Sequence, residues 1–411
     1  MNVRLTDGTT TVTLTSGTYD GVTYFPAAAS VSEARTPGFE LADEMRIVAS
    51  GTATALIAAR NEIEDLLNTA RRRQQTQTGP RVYVEYQNDT GADWFRSEIL
   101  DGRLSADDNP MLRRVDNGTN VFHLAMMRRP WWEGPRTQLV NAESIANGES
   151  GNSVEIAAND VEGTLPAPVE IKISNGEAGA VAWRNFYLAC NAWNDPGNYS
   201  PWLTGSAFVW SDNQTHNTSI LAWTITDAQL TDMAGDYFRM IAGFTTAPSA
   251  DAYAKLRVRW NNQVTLVEGD EVYTGASGGL YMLDFGAFPI PPGGYSSATL
   301  VSVRFSVRAA VAGSGTLDWI AMLPANNFRK LRQVDYSTAA GASIVDDGIE
   351  GIAYVDVSGS RYPLVATYGE PLMVWPGRIN TIYVLYDEGG DYTPTNAMDV
   401  SVWYRPRRGA I

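Results

Sequence analysis

Apolar and polar positions alternate along most of this chain with a period of two, the pattern of strands that bury one face. At the start, Val3, Leu5, Val12 and Leu14 alternate with polar neighbours, and the turn residues Asp7-Gly8 and Ser16-Gly17 fall between and after them, which predicts a hairpin. A second β segment is expected at Val22, Tyr24 and Phe25, and 27–39, with Pro37-Gly38, reads as a long loop. From 52 to about 73 the period becomes helical. Leu56, Ala59, Ile63, Leu66, Leu67 and Ala70 share one stripe, with Arg60, Glu62, Glu64 and Asp65 around it. An isolated helix of this length is marginal in water, so the stripe must pack on a neighbouring sheet. Strands at 82–86, 95–104 and 120–127 complete a first module, 1–136, closed by Arg128-Arg-Pro-Trp-Trp-Glu-Gly-Pro135.

The stretch 137–164 is rich in Asn, Gly, Ser and Ala and reads as a linker. From 165 to 325 the helical period is largely absent, and seven of the twelve tryptophans lie here (Trp183, Trp193, Trp202, Trp210, Trp223, Trp260, Trp319). Short strands punctuated by Gly and Pro, clearest at 169–173, 254–260, 300–307 and 316–322, predict a jelly-roll sandwich. A C-terminal β segment, 326–411, has strands at 351–357, 379–386 and 398–404 and is expected to pack with the first or the second module. The fold class is therefore mainly β: a β-sandwich module with one long helix, a jelly roll and a closing β segment. At 411 residues the chain exceeds the roughly 250–300 that a single core supports, which fits this division.

Composition narrows the chemistry. Formal net charge is −15, which disfavours a general nucleic-acid-binding surface. The two histidines, His123 and His216, are far apart in sequence and offer little for His-based catalysis or a His-rich metal site. The single cysteine, Cys190, rules out an intramolecular disulfide and has no nearby basic residue in sequence to make it a thiolate. No signal-peptide pattern opens the chain, so assembly in a reducing cytoplasm is expected. No run approaches the roughly 18–20 apolar residues that cross a bilayer, so no membrane insertion is expected. No nucleophile-elbow, zinc-protease, phosphate-loop or dinucleotide glycine pattern appears, and no cofactor, metal or catalytic residue is assigned.

Three features invite a functional reading beside a plainer one. Asp346, Asp347 and Glu350 have the oxygen ligands for Ca²⁺, but a solvated turn before a strand explains them more simply, and Asp107-Asp108 reads the same way. Arg71 to Arg73, Arg113-Arg114 and Arg407-Arg408 suit phosphate; the first run lies at a helix C-terminus, where the macrodipole favours cations, so capping or subunit ion pairing is preferred. Trp193, Tyr199 and Trp202 place three large rings on a loop-like stretch, where they would join the core, anchor a protein interface or stack on a glycan.

The end modules, 1–136 and 328–411, resemble phage tail proteins of the distal tail type. The resemblance rests on the order hairpin, long loop, single helix; on Phe122-His-Leu-Ala-Met-Met-Arg-Arg-Pro-Trp131; and on Leu372-Met-Val-Trp-Pro-Gly-Arg-Ile-Asn-Thr-Ile382 with the ending Val400-Ser-Val-Trp-Tyr-Arg-Pro-Arg407. It implies a non-enzymatic virion protein, assembled in the host cytoplasm, that forms a ring with copies of itself, commonly a hexamer. Such a ring joins the tail tube to other tail-tip proteins and leaves a channel through which DNA passes without specific binding. A negative lumen would keep passing DNA from sticking. The middle domain looks like the carbohydrate-binding jelly rolls inserted in some tail-tip proteins, particularly at Gly315-Thr-Leu-Asp-Trp-Ile-Ala-Met-Leu-Pro324. It implies an outward domain for subunit or host-surface glycan contact, and the alternative of a carbohydrate-binding adhesin or receptor-binding tail protein.

Overall fold

The computed structural model describes residues 2–14, 17–25, 34–36, 40–87, 91–106, 119–145, 152–175, 181–193, 202–225, 233, 236–260, 264–274, 282–290, 301–338, 341–364, 366–387 and 398–409. The chain divides into two compact units. Unit 1 comprises 1–136, 163–165 and 405–411; unit 2 comprises 137–162 and 166–404.

Unit 1 is one antiparallel sheet with a helix on it. Its strands are β1 (Asn2–Thr6), β2 (Thr11–Thr13), β3 (Gly17–Tyr19), β4 (Val22–Phe25), β5 (Ala34–Thr36), β6 (Glu40–Gly51), β7 (Val82–Gln87), β8 (Phe95–Ala106), β9 (Thr119–Arg128) and β10 (Trp132–Glu133). They run in the order β2-β1-β7-β8-β9-β6-β4-β3, with β5 on β6, and β10 bridging β8 to a last short strand, Arg407–Arg408. The helix α1 (Ala53–Thr76) starts where Thr52 accepts the N–H of Ala55 at 3.2 Å and ends where Gln77 turns left-handed at φ 57°. Leu56, Ile63, Leu66, Leu67 and Ala70 are buried against Leu5, Val84, Ile99 and Leu124 of the sheet, so the stripe read from the sequence is the packing face. The helix can come this close because β8 carries Gly102: a Cβ there would lie 2.6 Å from Leu67 Cδ2.

Unit 2 holds two apolar cores. The first lies between two sheets. Their strands are β11 (Thr137–Ile145), β12 (Ser153–Ile156), β13 (Ala167–Asn175) and β14 (Val181–Trp193) on the N-terminal side of an insert, and a further eight strands after it. The insert forms the second core from β15 (Trp202–Thr204), β16 (Ala207–Trp210), β17 (Leu221–Ile225), β18 (Tyr237–Thr246), β19 (Tyr253–Trp260), β20 (Val264–Glu268), β21 (Val272–Tyr273), β22 (Leu283–Pro289), β23 (Val301–Arg308) and β24 (Gly313–Pro324). The chain then returns through β25 (Phe328–Thr338), β26 (Ser343–Asp347), β27 (Ile352–Val357), β28 (Ser360–Pro363), β29 (Ala366–Tyr368), β30 (Met373–Val374), β31 (Ile379–Tyr386) and β32 (Met398–Tyr404). The first sandwich stacks β11-β32-β13-β26-β27-β28 on β12-β31-β14-β25-β29, and the insert stacks β15-β24-β18-β22 on β17-β23-β19-β20.

The sheet containing β14 is buried on both faces. Phe186, Leu188 and Cys190 face the first core with Val384 and Ile382, whereas Tyr187 and Ala189 join the insert's core with Tyr383 and Leu385. This explains a run, Phe186-Tyr-Leu-Ala-Cys190, that does not alternate.

The fold is mainly β with one long helix, as the sequence predicts. The organisation differs at three places. Residues 137–164 are not a bare linker: β11 pairs with β32, and β12 pairs with β31, where Val154 and Ile156 enter the first core. The jelly roll does not begin at 165, because β13 and β14 belong to the first sandwich and the described strands of the insert run from Trp202 to Pro324. The segment 326–411 splits, with 326–404 in unit 2 and 405–411 in unit 1. The two ends of the chain therefore share a module only through those last seven residues.

Candidate functional site

Two surfaces concentrate chemistry outside the cores, one in each unit. In unit 1, register places Arg4 opposite Glu85, Glu85 opposite Arg96, Arg96 opposite Glu133 and Glu133 opposite Arg407. The face of the sheet away from the helix thus carries a row of alternating charge across five strands, the cross-strand arrangement that antiparallel sheets favour. Arg4 pairs with Glu85; Arg96 lies 3.4 Å and Arg407 2.9 Å from Glu133. Aromatic rings fill the spaces: Arg4 sits 4.0 Å over Trp94, Arg96 4.0 Å over Tyr83, and Arg407 4.5 Å over Trp131. Beside the row, Glu98 receives Arg129 at 3.4 Å, with Arg73 and Arg81 each at 3.9 Å. Glu133 is only 9% exposed, so the row is a built, half-buried lattice.

In the insert, the outer face of β19 and β23 carries a second row. Arg308, Tyr253 and Tyr273 are cross-strand neighbours; Arg308 lies 4.3 Å over Tyr253, whose ring centroid is 5.4 Å from that of Tyr273. Arg308 makes a bidentate pair with Glu271 at 2.7 and 3.2 Å, and that pair holds the Glu271 carboxyl down at about 2. His216 completes a row that has the residue types of an acyl-transfer triad: Nδ1 lies 3.0 Å from Ser306 Oγ, and Nε2 lies 3.0 Å from Glu271 Oε1. The likeness ends with the nucleophile. Ser306 is completely buried in mid-strand and its hydroxyl also donates to the Lys255 carbonyl at 3.3 Å, so no substrate carbonyl reaches it. Burial lowers the His216 pKa and favours its neutral form. Its work is to fasten the 211–220 segment over the sheet, where Arg257 also donates to its backbone carbonyl.

The residues singled out from the sequence fall as follows. Trp202 is half-buried and meets the buried Trp319 edge-on at 5.4 Å, a core-rim position. Trp193 ends β14, but its side chain, and the whole of Tyr199, lie outside the described residues. Trp210 is buried, and its indole N–H donates to the Val311 carbonyl at 2.9 Å. Among the described residues, the exposed rings of the insert are tyrosines: Tyr237, Tyr253 and Tyr273. A readable signal existed for Tyr253, which shares the polar phase of its strand with Lys255 and Arg257, while Ala254, Leu256 and Val258 are buried.

Asp346 and Asp347 are not a solvated turn. Both are buried in β26; Asp346 pairs with Arg329 at 3.2 Å, and Asp347 accepts the N–H of Glu350 at 2.9 Å. Among the described residues, no group of three His, Cys, Asp or Glu side chains is placed to hold a metal ion. Arg71 reaches Asp101 at 2.9 Å and the Gly102 carbonyl at 2.7 Å, and Arg73 donates to the Gly79 carbonyl, so these two fasten the end of the helix within the chain. Asp107-Asp108 and Arg113-Arg114 lie outside the described residues. Burial pushes the Cys190 thiol up to about 12, which leaves it unreactive.

No protein-family model matches the chain, and no curated protein matches its sequence. Among solved structures, the chain aligns with one from the phage P2 baseplate in its activated conformation with Ca. The alignment covers 98% of this chain and 97% of that one, at 11% sequence identity and a TM-score of 0.30.

Proposed function

We propose that the chain is a non-catalytic structural protein of a phage tail tip, a virion component in which unit 1 forms a ring with copies of itself. That ring joins the tail tube to other tail-tip proteins, and unit 2 serves as the part available for subunit or host-surface contact. The observation that carries the reading is the closure of unit 1. The segment Arg128-Arg-Pro-Trp-Trp-Glu133 and the ending Arg405-Pro-Arg407 both belong to stretches that resemble distal tail proteins, and they meet at Glu133, Arg407 and Trp131. A module sealed by its own C-terminal residues can hold a large domain between its closing segments and keep its own surface for assembly. Rings arise from heterologous contacts whose rotation closes.

The test is the oligomeric state of the full chain, read by native mass spectrometry and negative-stain electron microscopy across a concentration series. Closed rings of one stoichiometry are expected, and incorporation into assembled tails. A protein that stays monomeric at the highest concentration and is missing from purified tails sinks the reading.

A further inference from the structure

Unit 2 contains a preformed cleft at the seam between its two sandwiches, and we propose that it binds a single neutral sugar ring. The cleft has a volume of about 260 Å³. Four separate segments line it: Asn191 from the end of β14, Asp236 and Tyr237 from the start of β18, Asn326 from the turn after β24, and Trp375 and Arg378 from the turn before β31. Seams between packed domains are where small-molecule sites concentrate.

Asn191 shows that the cleft is more than a packing gap. It is 7% exposed, and its Nδ2 is buried without a hydrogen-bond partner. A buried amide left in that state is a standing cost that a ligand oxygen would relieve. Register puts Asn191 on the same side of β14 as Tyr187 and Ala189, the side turned to the insert.

The walls are fixed by two other asparagines whose bonds are complete. Asn327 donates to the carbonyls of Cys190 at 2.8 Å and Met373 at 2.9 Å, and accepts the Met373 N–H at 2.8 Å. Asn380 accepts the Trp375 N–H at 2.8 Å and donates to the carbonyls of Trp375 at 3.0 Å and Arg378 at 2.8 Å. The aromatic and charged groups are therefore presented on a rigid frame, which lowers the entropy cost of binding.

The donor set selects the ligand. Tyr237, 57% exposed beside the buried Phe238, and Trp375 supply apolar ring surface for the C–H face of a pyranose. Two amides, one carboxylate and one guanidinium supply planar donors and acceptors for hydroxyl groups. The opposite charges of Asp236 and Arg378 leave no net preference for an ion, and the volume lies just below the roughly 300–1,000 Å³ of ordinary ligand pockets, room for one ring and not for a chain. The inference stands on the cleft alone and does not depend on the ring reading.

The experiment is saturation-transfer NMR and tryptophan fluorescence on the full chain. The probes are glucose, galactose, mannose, rhamnose and N-acetylglucosamine in the millimolar range, with glutamate and inorganic phosphate as charged comparators. At least one sugar is expected to saturate. Tyr237→Ala and Asn191→Ala, each shown folded by an unchanged unfolding profile, should weaken it about tenfold or more, equivalent to about 1.4 kcal/mol. Tyr273→Ala, on the other aromatic row, should leave it unchanged. The site is overturned if no sugar of the panel binds, if binding survives both Tyr237→Ala and Asn191→Ala, or if a charged comparator binds more tightly than every sugar. Failure of this test leaves ring formation untouched, so the two readings fall separately.

Discussion

The charged row of unit 1 and that of the insert solve the same problem with opposite outcomes. Both cover the outer face of an antiparallel sheet with alternating arginine, carboxylate and aromatic side chains. In unit 1 the carboxylate of Glu133 is nearly buried between Arg96 and Arg407. In the insert, Glu271 and Arg308 stay in contact with water, and Arg308 is 48% exposed. A desolvated pair cannot lose one member cheaply, because the stranded charge keeps its desolvation cost; an exposed pair is re-solvated and screened. The same residue types therefore act as a closure in one place and as a surface in the other.

The comparison is broken most directly at Glu133. Glu133→Ala strands Arg96 and Arg407, and urea unfolding of the full chain should show a loss of about 3–5 kcal/mol in the transition of unit 1. A loss near that of an ordinary surface mutation would mean that the row is decoration.

A smaller effect, about 2–3 kcal/mol, is expected from a buried pair of another kind, Arg329–Asp346. Burial raises the Asp346 pKa to about 6 from an unfolded value near 3.8, with Arg329 opposing the shift. The folded form then holds more protons than the unfolded form between those values. Its contribution to stability is full below about pH 4 and is lost as pH rises through about 6. Asp346→Asn should remove that slope. The stranded Arg329 adds an offset that does not vary with pH, so unfolding at several pH values between 4 and 7 separates the two. A slope identical to wild type would refute the assignment.

The least effect belongs to the exposed row. Glu271→Gln should leave the thermal midpoint unchanged within error at moderate salt, and wild type should show no salt dependence traceable to this pair. A clear drop in midpoint would show that the insert's row is fastened as tightly as that of unit 1.

Much of this architecture is legible in the sequence wherever a strand or helix has one apolar and one polar face. The helical stripe from Leu56 to Ala70, the strand 398–404, and the alternation of Val and Phe with Ser and Arg in β23 all follow from period alone. What escapes are elements whose neighbours change the rule. β14 is apolar on both faces because two cores share its sheet, so it reads as part of the jelly roll. β11 hides for the opposite reason: it is an edge strand with register shifts, largely exposed, and its Asn, Ala and Glu residues look like linker. The charge row of unit 1 could not be read because its members come from five strands, and only register sets Arg407 beside Glu133. Asn191 carries no signal of its own; its importance lies in a bond it does not make.

The sheet with a core on either side also sets the terms on which such a protein can be remodelled. The insert is not a cartridge that lifts out at 202 and 324. Its apolar interior includes Tyr187, Ala189, Phe328, Tyr383 and Leu385, which belong to the host strands. Exchange of this domain between lineages must therefore carry those five positions with it, or leave a greasy scar on one partner and an unfinished floor on the other.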